Sequence, residues 1–240
     1  MWCLTFLICV QAKLFSSDRL LALRASNQLR RDVDPPAANM VKLRWDKHLA
    51  QLAQLAADNC TLDFSSPELN GDSVDFSPGF QYGPRKEDGS IERVILSWGH
   101  NKDHLNVTDS KTTKYGLQYT RAVRASTDLI GCGHNLCDRT MSPDGVGWFV
   151  CESFGGCDLY VCAYSQKLVI PEDIGQEETF FDILEQVYQV GEPCSQCPSD
   201  KPYCNAKLCS DVAPNPESSQ DTLRQDSTNK SEKTEPKDEL

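Results

Sequence analysis

The sequence predicts an α+β fold in which helices pack on a sheet. Three observations carry that prediction. Segments with apolar side chains at helical spacing recur between residues 17 and 126, and runs rich in aromatic and β-branched residues follow between 129 and 164. The chain is 240 residues long and 39% hydrophobic, enough for one substantial core in one or two domains.

The first helix spans residues 17–31. Ser17 or Asp18 can accept a bond from a free N-terminal amide, and Leu21, Ala25 and Leu29 recur every four residues. Pro35-Pro36 ends this element. The second helix covers 46–59, with Asp46 at its N-terminus and an apolar stripe of Leu49, Leu52, Ala53, Ala56 and Ala57. The alanines allow a neighbour to approach closely. Residues 62–89 hold many Gly, Pro, Ser and Asp and read as a long loop. A third helix starts at Ser90 and runs to Leu105 with Ile91, Val94, Ile95 and Trp98 on one face, and a fourth covers 117–126. Strands are expected at 129–136, 147–154 and 157–164. Gly155-Gly156 suits a two-residue hairpin turn, which would set Phe154 opposite Cys157 and Cys151 opposite Tyr160. Alternation then places Cys151 and Cys162 on one face and Cys157 on the other.

Charge and cysteine content narrow the function classes. There are 35 acidic and 24 basic side chains, a net charge of -11. That balance opposes nucleic-acid binding, which needs a basic footprint. No apolar run approaches the ~20 residues that span a bilayer. Twelve cysteines point to an oxidising compartment. The apolar run Trp2–Val10 followed by Val10-Gln11-Ala12 reads as a signal peptide over residues 1–12. Its removal would take Cys3 and Cys9 and leave ten: Cys60, Cys132, Cys137, Cys151, Cys157, Cys162, Cys194, Cys197, Cys204 and Cys209. The even number permits complete pairing, in a pattern the sequence does not specify. At the other end, residues 211–240 contain no aromatic residue and eight acids against four bases, the composition of a disordered tail.

Several constellations bear on chemistry. Cys194 and Cys197 form a Cys-x-x-Cys pair, followed by Cys204 and Cys209. Four thiolates can hold a structural zinc, and a Cys-x-x-Cys pair can be redox-active. Two bridges in a small extension with little core of its own are the expectation, because Pro193 and Pro198 flank the pair and no βαβ scaffold surrounds it. His100 and His104 have the i, i+4 spacing of two metal ligands on a helix. Asn101, however, occupies the position where a zinc protease carries its general-base Glu, so two surface histidines are the simpler reading. Among three Asn-x-Ser/Thr triplets, at Asn59, Asn106 and Asn229, Asn106 is the best glycosylation candidate. The four residues Lys237, Asp238, Glu239 and Leu240 spell an endoplasmic-reticulum retrieval signal, which makes its receptor a candidate partner if the chain enters the lumen.

The order of motifs resembles a known family. Pro35-Pro36-Ala37-Ala38-Asn39-Met40, Leu43-Arg44-Trp45-Asp46 and the Leu49 to Cys60 helix resemble the start of a CAP (SCP/TAPS) domain, the fold of cysteine-rich secretory proteins, venom allergens and pathogenesis-related proteins. Tyr119-Thr120, Ile130-Gly131-Cys132-Gly133 and Val161-Cys162-Ala163-Tyr164 resemble its central and last signatures, and Gly191–Pro198 its hinge. The resemblance spans residues 17–209. It implies a three-layer α-β-α sandwich, with a CAP domain over 17–170 and a linker helix plus cysteine-rich hinge over 171–210.

The resemblance also implies a cleft with two histidines and two glutamates. In this chain those slots hold Phe64, Asp72, Asn101 and Gln118, and the first-helix His-Asn pair reads Ser26-Asn27. A phenyl ring cannot ligate a metal and neutral amides bind zinc poorly. The expectation is therefore a non-enzymatic binding protein with no cofactor and no metal. Its ligand would be a sterol or fatty acid, for which Val74, Phe76, Phe80 and Tyr82 offer an apolar lining, or an extracellular protein. The alternatives are a resident factor of the endoplasmic reticulum, such as a thiol oxidoreductase using Cys194 and Cys197, and a hydrolase with a rearranged metal site at His100 and His104.

Overall fold

A computed structural model describes residues 16–60, 74–82, 90–137, 139–141, 148–150, 157–171 and 179–214, together with Leu62, Phe64 and Leu69. Helix α1 is Ser16–Arg31, so Ser17 and Asp18 sit inside its first turn, where the Asp18 carboxylate favours the helix dipole. Helix α2 is Lys47–Asp58, and the Asp46 carboxylate caps it by accepting from the Leu49 amide at 2.8 Å. Helix α3, Ser90–Trp98, gives way to a 3-10 turn over Gly99–His104, and helix α4, Leu117–Ala122, ends four residues before the expected boundary.

The main sheet has four strands: β1 (Arg44–Trp45), β5 (Leu129–Cys137), β8 (Cys157–Tyr164) and β2 (Asp75–Tyr82), in that spatial order. Strand β1 is parallel to β5, and the β5–β8 and β8–β2 pairs are antiparallel. Smaller sheets join β3 (Leu105–Asn106), β4 (Lys111–Thr112) and β9 (Phe181–Asp182), and pair β6 (Arg139–Met141) with β7 (Trp148–Val150).

Strand β8 is buried along its whole length because helices cover both faces of the sheet. Leu159, Val161 and Ala163 pack beneath α2, while Tyr160, Cys162 and Tyr164 join the core formed with α1, α3 and α4. The result is the three-layer α-β-α arrangement. Alternation along β8 also puts Cys157 and Cys162 on opposite faces. The proposed Gly155-Gly156 hairpin and Cys151 lie outside the described residues.

Close approach of α2 to the sheet explains the small residues on both sides. A Cβ added to Gly131 would lie 2.1 Å from the Ala50 amide nitrogen, and one added to Gly133 would lie 2.4 Å from the Gln54 Cα. Both obstacles are helix backbone and cannot rotate away.

Strand β2 corrects the long loop expected over 62–89. Pro78 and Gly79 masked it, yet Pro78 is tolerated because β2 is an outer strand of the sheet. Gly79 lets Val94 and Trp98 of α3 lie flat on the strand. The helix expected in the 171–210 linker is not seen among the described residues from 179 onwards. That stretch is extended and spends its backbone groups on other segments: Ile183 donates to Ser110, Leu184 to Val169, and Ala38 donates to Gln189.

Four disulfides are described: Cys60–Cys137, Cys132–Cys162, Cys194–Cys204 and Cys197–Cys209. Cys157 is disulfide-bonded as well. The hinge is less separate than expected. Its hairpin, β10 (Tyr203–Asn205) with β11 (Leu208–Ser210), places Leu208 in the main core, and Cys209 exchanges backbone hydrogen bonds with the 40–42 segment. Asp211, assigned to the tail, is held by Arg44 at 3.0 Å. The segment expected to be a signal peptide and residues 215–240, including Lys237–Leu240, lie outside the described residues.

Gly133→Ala should destabilise the fold by about 3 kcal/mol, because the added methyl meets rigid helix backbone. A lowered urea midpoint with an unchanged slope is the expected outcome.

Candidate functional site

The first-helix positions Ser26 and Asn27 are buried in the core. The Asn27 amide donates to the Leu43 carbonyl at 3.1 Å and accepts from the Leu43 amide at 2.8 Å, so it pins the segment leading into β1. One turn later, Arg30 is wholly buried and donates to the carbonyls of Val41, Ala122, Arg124 and Thr127 at 2.7–3.0 Å. Burial lowers its pKa to about 9, which keeps it charged at neutral pH. Sequence reasoning missed this residue. Its signal was an arginine falling on the same helical face as Ala22, Ser26 and Leu29.

Three of the four slots matched to the family's metal site fall among the described residues. Phe64 is half-buried against the core beneath α2 and stacks on Phe76, with ring centroids 5.1 Å apart. Asn101 and Gln118 are half-buried in the opposite layer, on the 3-10 turn and on α4. Asp72 lies outside the described residues.

The two histidines of the alternative site also diverge. A 3-10 turn has three residues per turn, so positions four apart no longer share a face. His100 is exposed. The His104 ring is hydrogen-bonded through Nδ1 to the Thr113 hydroxyl at 3.0 Å and meets the Tyr115 ring edge-on. Its carbonyl accepts from the Thr112 hydroxyl and the Thr113 amide, which makes His104 a brace for the β3–β4 hairpin. Among the described residues, the only group of three candidate ligands is Cys194, Cys197 and Cys209. Their sulfurs belong to two neighbouring bridges and carry no thiolate.

The loop proposed as an apolar ligand lining is largely structural. Phe76 is 5% exposed and Val74 packs against the same core. The backbones of Phe80 and Tyr82 pair with Leu159 and Cys157 of β8, and their side chains lie outside the described residues.

Other buried polar groups were not singled out from the sequence. The Arg121 guanidinium lies 2.8 Å from Asp75, which also accepts from the Leu168 amide. Arg124 pairs with Glu185 at 2.8 Å and also contacts the Gln166 carbonyl. On the sheet, His134 Nε2 and Asp158 Oδ1 are 2.5 Å apart with both side chains closed to solvent. Burial, then the carboxylates of Asp34, Asp103 and Asp32, push the Tyr119 pKa up to about 12, so this phenol holds its proton at neutral pH.

Comparison with known proteins places this architecture. The family model described as "CAP: Cysteine-rich secretory protein family" matches residues 23–153. The chain belongs to the CAP family. It is 26% identical over 211 residues to human peptidase inhibitor 16, covering 87% of this chain and 39% of that protein. It is 29% identical over 185 residues to human cysteine-rich secretory protein 2, covering 76% and 65%. The CAP chain described here thus spans less than two thirds of either relative. Among solved structures it is similar in fold to NaASP2 with Zn2+, at TM-score 0.57 and 20% identity, covering 82% of this chain and 97% of that one. The hookworm platelet inhibitor gives TM-score 0.55 at 20% identity, covering 85% and 94%.

Removing one partner of the Asp75–Arg121 pair should expose how much the CAP core relies on it. Arg121→Met should cost about 2 kcal/mol by leaving the Asp75 carboxylate uncompensated, a value reduced from that of a fully buried pair because Arg121 retains some solvent contact. Adding Asp75→Asn should restore part of the loss in the same denaturation assay.

Proposed function

We propose that this chain is a secreted CAP protein that acts by binding an extracellular protein and carries out no catalysis. The observation that carries this reading is the fate of the first histidine slot: Phe64 is stacked on Phe76 against the core and offers no donor atom. Asn101 and Gln118, in the other layer, offer only amides, and His104 is spent on the β3–β4 hairpin. Hydrolysis assisted by a metal needs several convergent donors around one open coordination position. The pairing of Cys194 with Cys204, and of Cys197 with Cys209, speaks against a Cys194/Cys197 oxidoreductase couple.

A protein partner is favoured over a sterol or fatty acid. The two described cavities have charged walls: one includes Asp34, Lys102 and Asp103, the other Arg31, Asp32 and Lys207. Neither suits a water-excluded lipid, which requires a mostly apolar lining. Phe76, the aromatic centre of the candidate lipid loop, is occupied by its stacking on Phe64. Two of the similar proteins are named for inhibiting something, a peptidase and platelets, which fits function through binding.

Secretion agrees with the disulfides, and no helix among the described residues is long and apolar enough to cross a membrane. The alternative reading is a resident factor of the endoplasmic reticulum, retrieved through Lys237–Leu240.

Native mass spectrometry of protein purified from a eukaryotic secretory host tests the reading. The expected mass is that of the chain and its covalent modifications, with less than one zinc per chain after dialysis against zinc. One retained zinc lost in His100→Ala, or a bound sterol, would overturn it. For retrieval, deletion of residues 237–240 should raise the amount of protein in the medium several-fold; unchanged export would show the signal to be idle.

A further inference from the structure

Resting on the secretory reading, we propose that Asn106 carries an N-linked glycan whose first N-acetylglucosamine seats against Phe180. Asn106 closes β3, and the turn over 107–110 leads into β4. In the triplet Asn106-Val107-Thr108, the asparagine and threonine are exposed while Val107 is buried and anchors the turn. That presents both recognition side chains outward. Asn59, by contrast, caps the end of α2 immediately before the Cys60–Cys137 bridge.

A pocket of about 380 Å³ lies beside the hairpin, and Asn106 and Thr108 are both on its wall. Leu105, Val107 and Phe180 supply its apolar part, and Asp34, Lys102 and Asp103 its charged part. Its size is at the small end of ligand cavities, enough for one sugar ring and its N-acetyl group. Phe180 is 46% exposed, a large apolar face left open on an acidic protein. The C–H face of a pyranose covers an aromatic ring well, and its hydroxyl and acetamido groups can pair with the charged rim.

The chemistry leaves the turn intact. The Asn106 amide nitrogen attacks C1 of a lipid-diphosphate-linked oligosaccharide. A C–N bond forms, the bond from C1 to the diphosphate oxygen breaks, one proton leaves the nitrogen, and the lipid diphosphate departs. The nitrogen keeps one N–H, which is all that its 3.0 Å bond to the Asp109 carboxylate uses. The Asn106 side-chain oxygen continues to accept from the Asp109 amide at 3.0 Å. The glycan would then shield Phe180 and the Asp34-Pro35 corner, leaving protein partners to other faces.

The full chain is produced in a eukaryotic secretory host twice, with its own N-terminus and behind a strong export leader. The peptide containing Asn106 is weighed before and after peptide N-glycosidase. Occupancy in the leader-driven chain, lost in Thr108→Ala, is expected; a bare Asn106 in that exported chain would overturn the site. Occupancy only behind the strong leader would leave the site standing and defeat the secretory reading. The seat is read separately. Protein trimmed to one N-acetylglucosamine should melt about 3 °C above the fully deglycosylated chain, the shift that ~1 kcal/mol gives in a domain of this size. Phe180→Ala should abolish the difference. No difference in the wild type, or one that survives in Phe180→Ala, would overturn seating on Phe180.

Discussion

Much of this fold hangs on one buried cation. Arg30 extends from α1 into the interior and donates to carbonyls at Val41, Ala122, Arg124 and Thr127. These belong to the segment before β1 and to the passage from α4 into β5. A guanidinium is suited to this because its planar fork donates in several directions at once, whereas a lysine would bring a single point. Without it, several backbone carbonyls would be buried without a donor, at a cost no apolar side chain could offset.

That network fixes the stretch on which the cysteine-rich hinge docks. Lys42 donates to the Cys209 carbonyl and Cys209 donates to the Met40 carbonyl, beside the bond from Arg30 to Val41. Gln196 donates to Ala38, and Gly191 to Pro36. Two disulfides stiffen the hinge internally, but burial of Leu208 and these backbone bonds make it part of the body. The hinge and the α-β-α sandwich therefore share one core.

Two positions matched to the family's signatures serve as packing and backbone pinning in this chain. Phe64 gains a stacked aromatic partner in the layer under α2, and Asn27 bonds the backbone at Leu43. Arg121 brings a charge that Asp75 neutralises at the edge of the sheet.

Local pattern was enough for α1, α2, α3, β5 and β8, because each combines a strong period with clear burial on one or both faces. The capping role of Asp46 and the small residues between α2 and β5 were legible for the same reason: both depend on neighbours in sequence or on simple volume. Strand β2 was not legible, because Pro78 and Gly79 are acceptable only at the edge of a sheet lying under α3, a fact set by residues far away in sequence. The same holds for Arg30, Asp75 with Arg121, and the pairing of Cys194 with Cys204 and Cys197 with Cys209. Sequence alone determined which atoms the chain brings. Which of them face each other inside was decided by tertiary packing, since burial and hydrogen-bond satisfaction are properties of the assembled core.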